Sequence, residues 1–221
     1  MALRAPKRNS FAIIGLGTFG SSVAREMMRH GNHVIGADLD DRVVADHAEA
    51  LSEAVILDAR DDIALREAGI ADCDVAVVAM GEDLEASVLA AINLKMIGVP
   101  TVWAKAVSRT HHRILGKLGV DRVIHPEQEM GRRVGEMLQN PRLRDYAGLG
   151  NGFSVVTYLV PETLAGKTID DLGIEPGGNL RCLGAMRGSE WLGLAPQSLA
   201  ADDRLILLGK PVELRRFAMR F

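Results

Sequence analysis

Three glycines and one aspartate near the amino end of the chain have the spacing of a nucleotide-binding site. Gly15, Gly17 and Gly20 fit the pattern Gly-x-Gly-x-x-Gly, and Asp38 follows 23 residues after Gly15. In this pattern one glycine allows a tight turn, one lets the backbone approach a phosphate, and one lets the helix pack against the strand. An aspartate about 20 residues further on binds ribose hydroxyls and would repel the 2′-phosphate of NADP. The four residues therefore predict a nucleotide or dinucleotide site.

The segments around these residues predict a strand, a loop, a helix and a second strand. Residues 11–14 form a short apolar run suited to a strand buried on both faces. Residues 18–30 carry apolar side chains at helical spacing, and Gly31 is suited to end that helix. The second strand runs over 33–38. A helix placed here directs its unpaired N–H groups and the positive end of its dipole at a bound phosphate.

The chain continues as an alternation of strands and helices up to residue 139. Further strands are predicted at 54–57, 74–79, 101–105 and 122–124, and further helices at 42–51, 61–68, 82–97, 109–118 and 127–139. Strands that alternate with helices in this way form a parallel sheet with right-handed crossovers. We therefore predict an α/β fold, a Rossmann-like doubly wound parallel sheet, in residues 1–139.

The pattern changes after residue 139. Residues 140–152 contain Pro141 and three glycines, which predicts a linker. Residues 153–221 predict a small α+β C-terminal domain, with strands, a hairpin and a terminal helix at 153–160, 180–194, 203–208 and 212–219. So few elements bury only a small core, which favours dimerisation.

Composition limits the class of protein. The chain has 221 residues, and its net charge of −3 gives no reason to expect a nucleic acid partner. No apolar run approaches the roughly 18 residues of a membrane span. Cys73 and Cys182 belong to no Cys-x-x-Cys motif, as is typical of reduced thiols in a cytosolic protein. We therefore expect a cytoplasmic protein.

A ligand of such a sheet lies at the carboxyl ends of its strands, where the strand order reverses. Asp58-Ala59, Met80-Gly81 and Lys105 follow predicted strands and are expected there. Lys105 is either a cation facing a phosphate or ribose, or a solvated lysine.

Candidates for catalysis are few. His111 and His112 could form an acid/base or metal pair, but adjacent helical residues point about 100° apart, so joint ligation has poor geometry. His125 is interpreted as a neutral structural histidine. Glu127 lies at a helix start, where it either favours the dipole or reaches a cation at a subunit interface. The sequence has no Gly-x-Ser-x-Gly motif, and the glycine loop lacks the Gly-Lys-Ser/Thr of a phosphate-transferring loop. These residues indicate nucleotide binding rather than nucleotide-dependent chemistry.

Segments along nearly the whole chain match the pattern of a known family. They are 15–20, Asp38, 58–59, 103–106, His111-His112, 121–127, 164–172 and 203–208. In these segments the chain resembles the RCK (KTN) regulatory proteins of bacterial potassium uptake, and within them the cytosolic Ktr-type subunits. Ile-His-Pro-Glu, which ends at Glu127, is the specific part of the resemblance, whereas the glycine triplet occurs in many families.

The resemblance implies a non-enzymatic subunit. Its dimers would assemble into an octameric ring that docks, at the cytoplasmic face, on a membrane-embedded potassium-translocating subunit. ATP and ADP would switch the ring between conformations, and NAD(H) binds some relatives. The C-terminal domain resembles one that in some relatives binds cyclic di-AMP at its dimer interface.

Matching positions imply the roles of individual residues. Asp38 would hold ribose, Asp58-Ala59 would border adenine, and Lys105 and His111 would approach the nucleotide. Glu127 would bind a divalent cation such as Mg²⁺ or Ca²⁺ between subunits. The expected cofactor-binding residues are Gly15, Gly17, Thr18, Phe19, Gly20, Asp38, Leu39, Asp40, Asp58, Ala59, Met80, Gly81, Lys105, His111 and Glu127.

Thr18 departs from the family pattern. Many Ktr-type members have an arginine at this position, which can reach the γ-phosphate of a nucleotide in a neighbouring subunit. Threonine supplies no such charge, so discrimination between ATP and ADP would depend more on Lys105 and on a metal at Glu127.

Two alternative functions follow from the same residues. A small NAD-dependent oxidoreductase would need a substrate pocket beside the nicotinamide. A redox-sensing DNA-binding repressor of Rossmann type would need a basic helix-turn-helix, and the sequence shows no such pattern.

Overall fold

The computed structural model describes residues 9–81, 83–174, 178–194 and 198–221. The chain separates into two units, Met1–Gln128 and Glu129–Phe221. The division falls near the start of the sixth helix, Pro126–Gln139, rather than in the expected linker at 140–152.

Six parallel strands form the sheet of the first unit. They are β1 Ser10–Ile14, β2 His33–Asp38, β3 Glu53–Ile56, β4 Val75–Val78, β5 Thr101–Lys105 and β6 Arg122–Ile124. Their order is β3-β2-β1-β4-β5-β6, so the chain reverses direction across the sheet between β1 and β4. The predicted α/β class, a Rossmann-like doubly wound sheet, is confirmed. The crevice that such a reversal opens lies at the carboxyl ends of the strands, directly after Ile14 and Val78.

Helices connect the strands at nearly the predicted positions. They are α1 Thr18–Arg29, α2 Asp41–His47, α3 Asp62–Glu67, α4 Leu84–Met96, α5 Arg109–Lys117 and α6 Pro126–Gln139. The predicted start of α4, Glu82, lies outside the described residues, and the described helix begins at Leu84 after its cap Asp83. Within the described ranges, no helix combines the length and the apolar character that crossing a membrane requires.

Alternate residues of β1 pack into different parts of the core. Ile13 belongs to a buried cluster with Leu16 and with Ala24 of α1. Ala12 and Ile14 belong to a second cluster, which includes residues of α3, α4 and α5. Because helices cover both faces, every position of β1 from Ala12 to Ile14 is apolar, as is typical of a parallel sheet. This packing fixes the end of β1, where the glycine loop begins.

The second unit contains an antiparallel sheet and a terminal helix. Its elements are β7 Leu143–Gly150, β8 Phe153–Leu159, β9 Leu180–Arg187, β10 Glu190–Gly193, β11 Arg204–Gly209 and α7 Pro211–Arg220, with the strand order β10-β9-β11-β8-β7. This arrangement confirms the small α+β class predicted for this part of the chain.

The structure differs from the expected linker at 140–152, because residues 143–150 form β7 and pair with β8. Leu143 and Tyr146 are buried in the core of the second unit. Gly150, Asn151 and Gly152 all have positive φ angles and form the turn between the two strands. Two of the three glycines that suggested a linker, Gly150 and Gly152, therefore supply left-handed conformations of a tight hairpin.

A buried carboxylate joins two elements of the second unit. Asp203 is only 1% exposed and accepts hydrogen bonds of 2.8 Å from Arg187 Nε, Arg187 Nη2 and the Ala200 N–H. The hydrogen bonds from Arg187, with that from the Ala200 N–H, hold the pKa of Asp203 below its ordinary value. Arg187 lies on β9 and Asp203 directly precedes β11, so the pair fixes the register of these neighbouring strands.

Asp203→Asn is expected to lower the free energy of unfolding of the second unit by about 2 kcal/mol at pH 7, because an amide NH₂ group would face one of the donors. Since the folded pKa is depressed, the carboxylate stabilises the fold above pH about 4 and this contribution is lost as the pH falls through the folded pKa. The difference between the two proteins should therefore shrink at pH 3. Urea unfolding followed by circular dichroism at both pH values measures it.

Glu213→Gln provides the matched control, since Glu213 forms an ion pair with Arg216 on α7 whose side chains are 29% and 72% exposed. It should change stability by no more than about 0.5 kcal/mol. An equal loss for both variants, or a loss for Asp203→Asn that does not depend on pH, would contradict the assignment.

Candidate functional site

Gly15, Gly17 and Gly20, at the junction of β1 and α1, have three different environments. Gly15 has a φ of +94°, and its N–H donates to Ala37 O of β2 at 2.7 Å. A Cβ atom added to Gly20 would lie 1.9 Å from Gly15 O, so only glycine lets α1 pack this closely on the loop. A Cβ atom on Gly17 would meet nothing within 4 Å. Gly15 therefore makes the turn, Gly20 allows the packing, and Gly17 borders open space.

The first turn of α1 has no capping side chain. Its N-cap is Gly17, which offers none, and no acidic residue lies in the turn. By contrast, side chains of Asp40, Asp61, Asp83 and Ser108 accept hydrogen bonds at the starts of α2, α3, α4 and α5. The N–H groups at the start of α1 are therefore available to an anion.

Asp38 is held at the end of β2 by the backbone on both sides. Its Oδ2 accepts from the Leu16 N–H at 2.7 Å, and its Oδ1 accepts from the Asp40 N–H at 3.1 Å. Each carboxylate oxygen can accept a further hydrogen bond, so capacity is left for ribose hydroxyls. Asp40 itself accepts from the Arg42 N–H and caps α2, whereas Leu39 is 64% exposed at the rim.

A cleft of about 130 Å³, which we call the β1–β3 cleft, lies beside Asp38. Six of the residues predicted for the cofactor site line it: Gly15, Asp38, Leu39, Asp58, Ala59 and Met80. The remaining lining residues are Ile14, Ala37, Leu57, Arg60, Asp83 and Ala86. The structure thus brings together the ends of β1, β2 and β4 and the residues after β3.

The sequence-based prediction missed Arg60. Its side chain donates to both carboxylate oxygens of Asp58, from Nε at 2.9 and 3.0 Å and from Nη2 at 2.6 Å. Hydrogen bonds from the Arg60 side chain and N–H keep the pKa of Asp58 below its ordinary value. The spacing Asp-x-Arg directly after a strand was the available signal, because it places both side chains at the same sheet edge.

A second group of predicted residues, which we call the Lys105 cluster, contains Phe19, Gly81, Lys105 and Glu127. Lys105 Nζ lies 2.5 Å from Glu127 Oε1 and 6.0 Å from the centre of the Phe19 ring. A Cβ atom on Gly81 would lie 3.5 Å from Nζ, so the lysine also passes close to the loop after β4. The side chain of Lys105 is only 14% exposed, which excludes the solvated alternative.

Glu127 is the exposed partner in this cluster, since 63% of its side chain is accessible. The hydrogen bond from Lys105 lowers the pKa of the Glu127 carboxyl. Within the described ranges, no group of three or more histidine, cysteine, aspartate or glutamate side chains is placed to hold a metal ion. A cation at Glu127 would therefore need ligands from beyond the described part of this chain.

The histidines His111 and His112 differ in burial and in their contacts. His111 is fully buried, and neither of its ring nitrogens has a hydrogen-bond partner among the described residues. His111 and Leu115 form the buried face of α5, and His111 is not among the residues that line the β1–β3 cleft. Burial, and then the nearby His125, lower the pKa of His111. His112 instead stacks on His125, with 2.9 Å between their nitrogens.

The fold and the site define the class: a Rossmann-like α/β domain with the geometry of a nucleotide-binding site. Comparison with known proteins narrows this class. The model of the TrkA-N domain family matches residues 11–126. The chain is 34% identical over 215 residues to the Ktr system potassium uptake protein C of Bacillus subtilis strain 168, covering 96% of this chain and 97% of the relative.

The Ktr system potassium uptake protein A of Vibrio alginolyticus is 34% identical over 201 residues, covering 90% of this chain and 91% of the relative. The chain therefore belongs to the family of Ktr system potassium uptake proteins, and its first unit is a TrkA-N domain.

Solved structures support the same fold. The GsuK channel matches with a TM-score of 0.68 and 15% identity over 99% of this chain, which spans 40% of the channel chain. The GsuK RCK domain matches with a TM-score of 0.65 and 16% identity over 98% of this chain and 48% of that one. These matches confirm the predicted fold, a Rossmann-like sheet followed by a small C-terminal domain.

Proposed function

We propose that this chain is a regulatory subunit that senses adenine nucleotides and controls a membrane-embedded potassium transporter, with no catalytic step of its own. The observation that carries the proposal is the order of groups across the sheet edge. The uncapped start of α1 and Lys105 are suited to phosphates, Asp38 to ribose, and the β1–β3 cleft to the base. The membership of the chain in a potassium uptake family supplies the biological setting.

ATP and ADP are the proposed ligands, and NAD(H) is the alternative that the same groups would accept. Asp38 and the glycine loop suit either ligand, because both contain an adenosine diphosphate portion. Structures of the GsuK channel bound to NAD and of GsuK bound to ADP support this choice of candidates.

A ligand shifts a two-state protein only through its different affinity for the two states. The Lys105 cluster offers such a difference, because the lysine pairs either with Glu127 or with a bound phosphate. When a phosphate takes Lys105, Glu127 becomes available to a cation. Mg²⁺ and Ca²⁺ prefer oxygen ligands and need about six or more, so phosphates, water and a second subunit would complete the set.

Assembly into a ring is also a proposal. Met130, Val134 and Leu138 recur at four-residue spacing on α6 and are 55%, 39% and 77% exposed. An exposed apolar stripe of this kind supports contact with another copy of the chain. We propose dimers that assemble into an octamer and dock at the cytoplasmic face of the membrane.

Cyclic di-AMP is proposed as a further ligand of the second unit. A cavity of about 450 Å³ borders α7, and its lining includes Arg216 and Arg220. Guanidinium groups form strong charge-assisted hydrogen bonds with phosphates, and a cyclic dinucleotide has two of them. The cavity is therefore the first place in the described chain to test for this ligand.

The proposed function predicts that ATP and ADP bind with different affinities and stabilise different ring shapes. Native mass spectrometry of the purified chain would report oligomer size and bound nucleotide together, and calorimetry would compare ATP, ADP and NADH. Identical binding of all three, with no change in small-angle scattering, would contradict the proposal. Robust NADH production from 2-hydroxy acids or aldehydes would instead favour an NAD-dependent oxidoreductase.

A further inference from the structure

Arg60 lines the β1–β3 cleft, and its hydrogen bonds with Asp58 orient its side chain. Its guanidinium makes a two-pronged contact with Asp58, and the Arg60 N–H donates to the same carboxylate at 2.9 Å. This contact fixes the plane of the guanidinium, because both carboxylate oxygens accept from one edge of it. The side chain is still 44% exposed, so part of it is open to a ligand.

The position of Arg60 corresponds to the base end of the site. The glycine loop follows β1, Asp38 ends β2, and Arg60 comes shortly after β3. Neighbouring strands are about 4.8 Å apart, so the end of β3 lies roughly 10 Å from the end of β1. A nucleotide with its phosphates at the loop and its ribose at Asp38 would therefore extend its base towards Arg60.

The charges around Arg60 argue against a contact with phosphate. Asp58 neutralises the guanidinium directly, and Asp83 and Glu85 add further negative charge nearby. What Arg60 offers to a ligand is therefore a flat, weakly hydrated face rather than free positive charge. Guanidinium planes stack well on aromatic rings, and every purine has such a face.

We propose that Arg60 is a base-stacking residue of the nucleotide site and that Asp58 is the positioning residue that orients it. This inference rests on the proposed function, since it takes the cleft to be the base end of a nucleotide site. Asp58 would then act on the base through Arg60. Leu39, at the exposed rim of the same cleft, would cover another part of the bound ring.

Calorimetry with AMP, ADP and ATP on the full-length chain tests the proposal. Arg60→Ala should lower the affinity for all three ligands by the same factor, about tenfold, because the base is common to them. Arg60→Lys should lose nearly as much affinity, since lysine keeps the positive charge but lacks the planar guanidinium group. The affinities of Asp58→Asn should lie between those of the Arg60 variants and those of the unaltered chain. Asp58→Glu, which keeps a carboxylate, should lose less affinity than Asp58→Asn.

Arg66→Ala is the matched control, because Arg66 lies on α3, pairs with Asp62 and does not line the cleft. It should leave all three affinities unchanged. Equal affinities of Arg60→Ala and the unaltered chain would overturn the inference while leaving the proposed function intact. A loss that grows with the number of phosphates, or is absent in Arg60→Lys, would overturn it in favour of an electrostatic role. If the unaltered chain binds no adenine nucleotide, the proposed function itself fails.

Discussion

Gly20→Ala is expected to destabilise the first unit by about 4 kcal/mol or more, enough to leave it largely unfolded. The added methyl group would lie 1.9 Å from Gly15 O and 3.0 Å from Ala79 Cβ. The first neighbour is backbone, held in place because the Gly15 N–H donates to Ala37 O. Relieving the clash between the added methyl group and Gly15 O would require α1 to move away from β1. Soluble yield, and urea unfolding followed by circular dichroism, measure the effect.

Gly17→Ala is the matched control within the same loop. Gly17 has a φ of −60° and a ψ of −173°, which alanine adopts without strain, and its Cβ atom would enter open space. This variant should fold with nearly unchanged stability. Its methyl group would lie where the backbone approaches a phosphate, so its affinity for ATP should fall at least about tenfold. Equal stability of the two variants would show that the glycines do not have separate roles.

Lys105→Met is expected to reduce the affinity for ATP by about a hundredfold, because the charge-assisted hydrogen bond that we propose between Lys105 and a phosphate would be lost from a poorly exposed site. Methionine keeps much of the length and apolar volume of the lysine stem, so the fold should be preserved. Only 14% of the Lys105 side chain is exposed, so water does not readily replace the ammonium group. Calorimetry with ATP, ADP and AMP measures the loss, which should be smallest for AMP.

Glu127→Gln should raise the affinity for ATP, in contrast to Lys105→Met, when divalent cations are removed by a chelator. Lys105 then loses its carboxylate partner and is free for a phosphate, so ATP should bind a few times more tightly. With Mg²⁺ or Ca²⁺ present, the unaltered chain should gain affinity and the variant should not. If Glu127→Gln weakens ATP binding under both conditions, Lys105 does not exchange between Glu127 and the nucleotide.

The sequence alone determined the order and type of most elements of the first unit. Apolar runs, helical spacing and glycine stops are local signals, and helices and strands respond to them locally. The glycine loop and Asp38 were predictable for the same reason, since the strand, turn and helix that position them are contiguous. The parallel sheet followed from the alternation of strands with helices, which leaves few other arrangements.

Tertiary structure decided which side chains meet. Lys105 and Glu127 are 22 residues apart, and their contact depends on β5 and β6 being neighbours in the sheet. His111 was expected near the nucleotide and stays a prediction, whereas its burial follows from the packing of α5. Residues 140–152 were predicted to be a linker because of Pro141 and three glycines, but two of these glycines, Gly150 and Gly152, form a hairpin turn between β7 and β8. Short-range patterns specify backbone conformation, whereas burial, ion pairs and strand partners depend on residues far away in the chain.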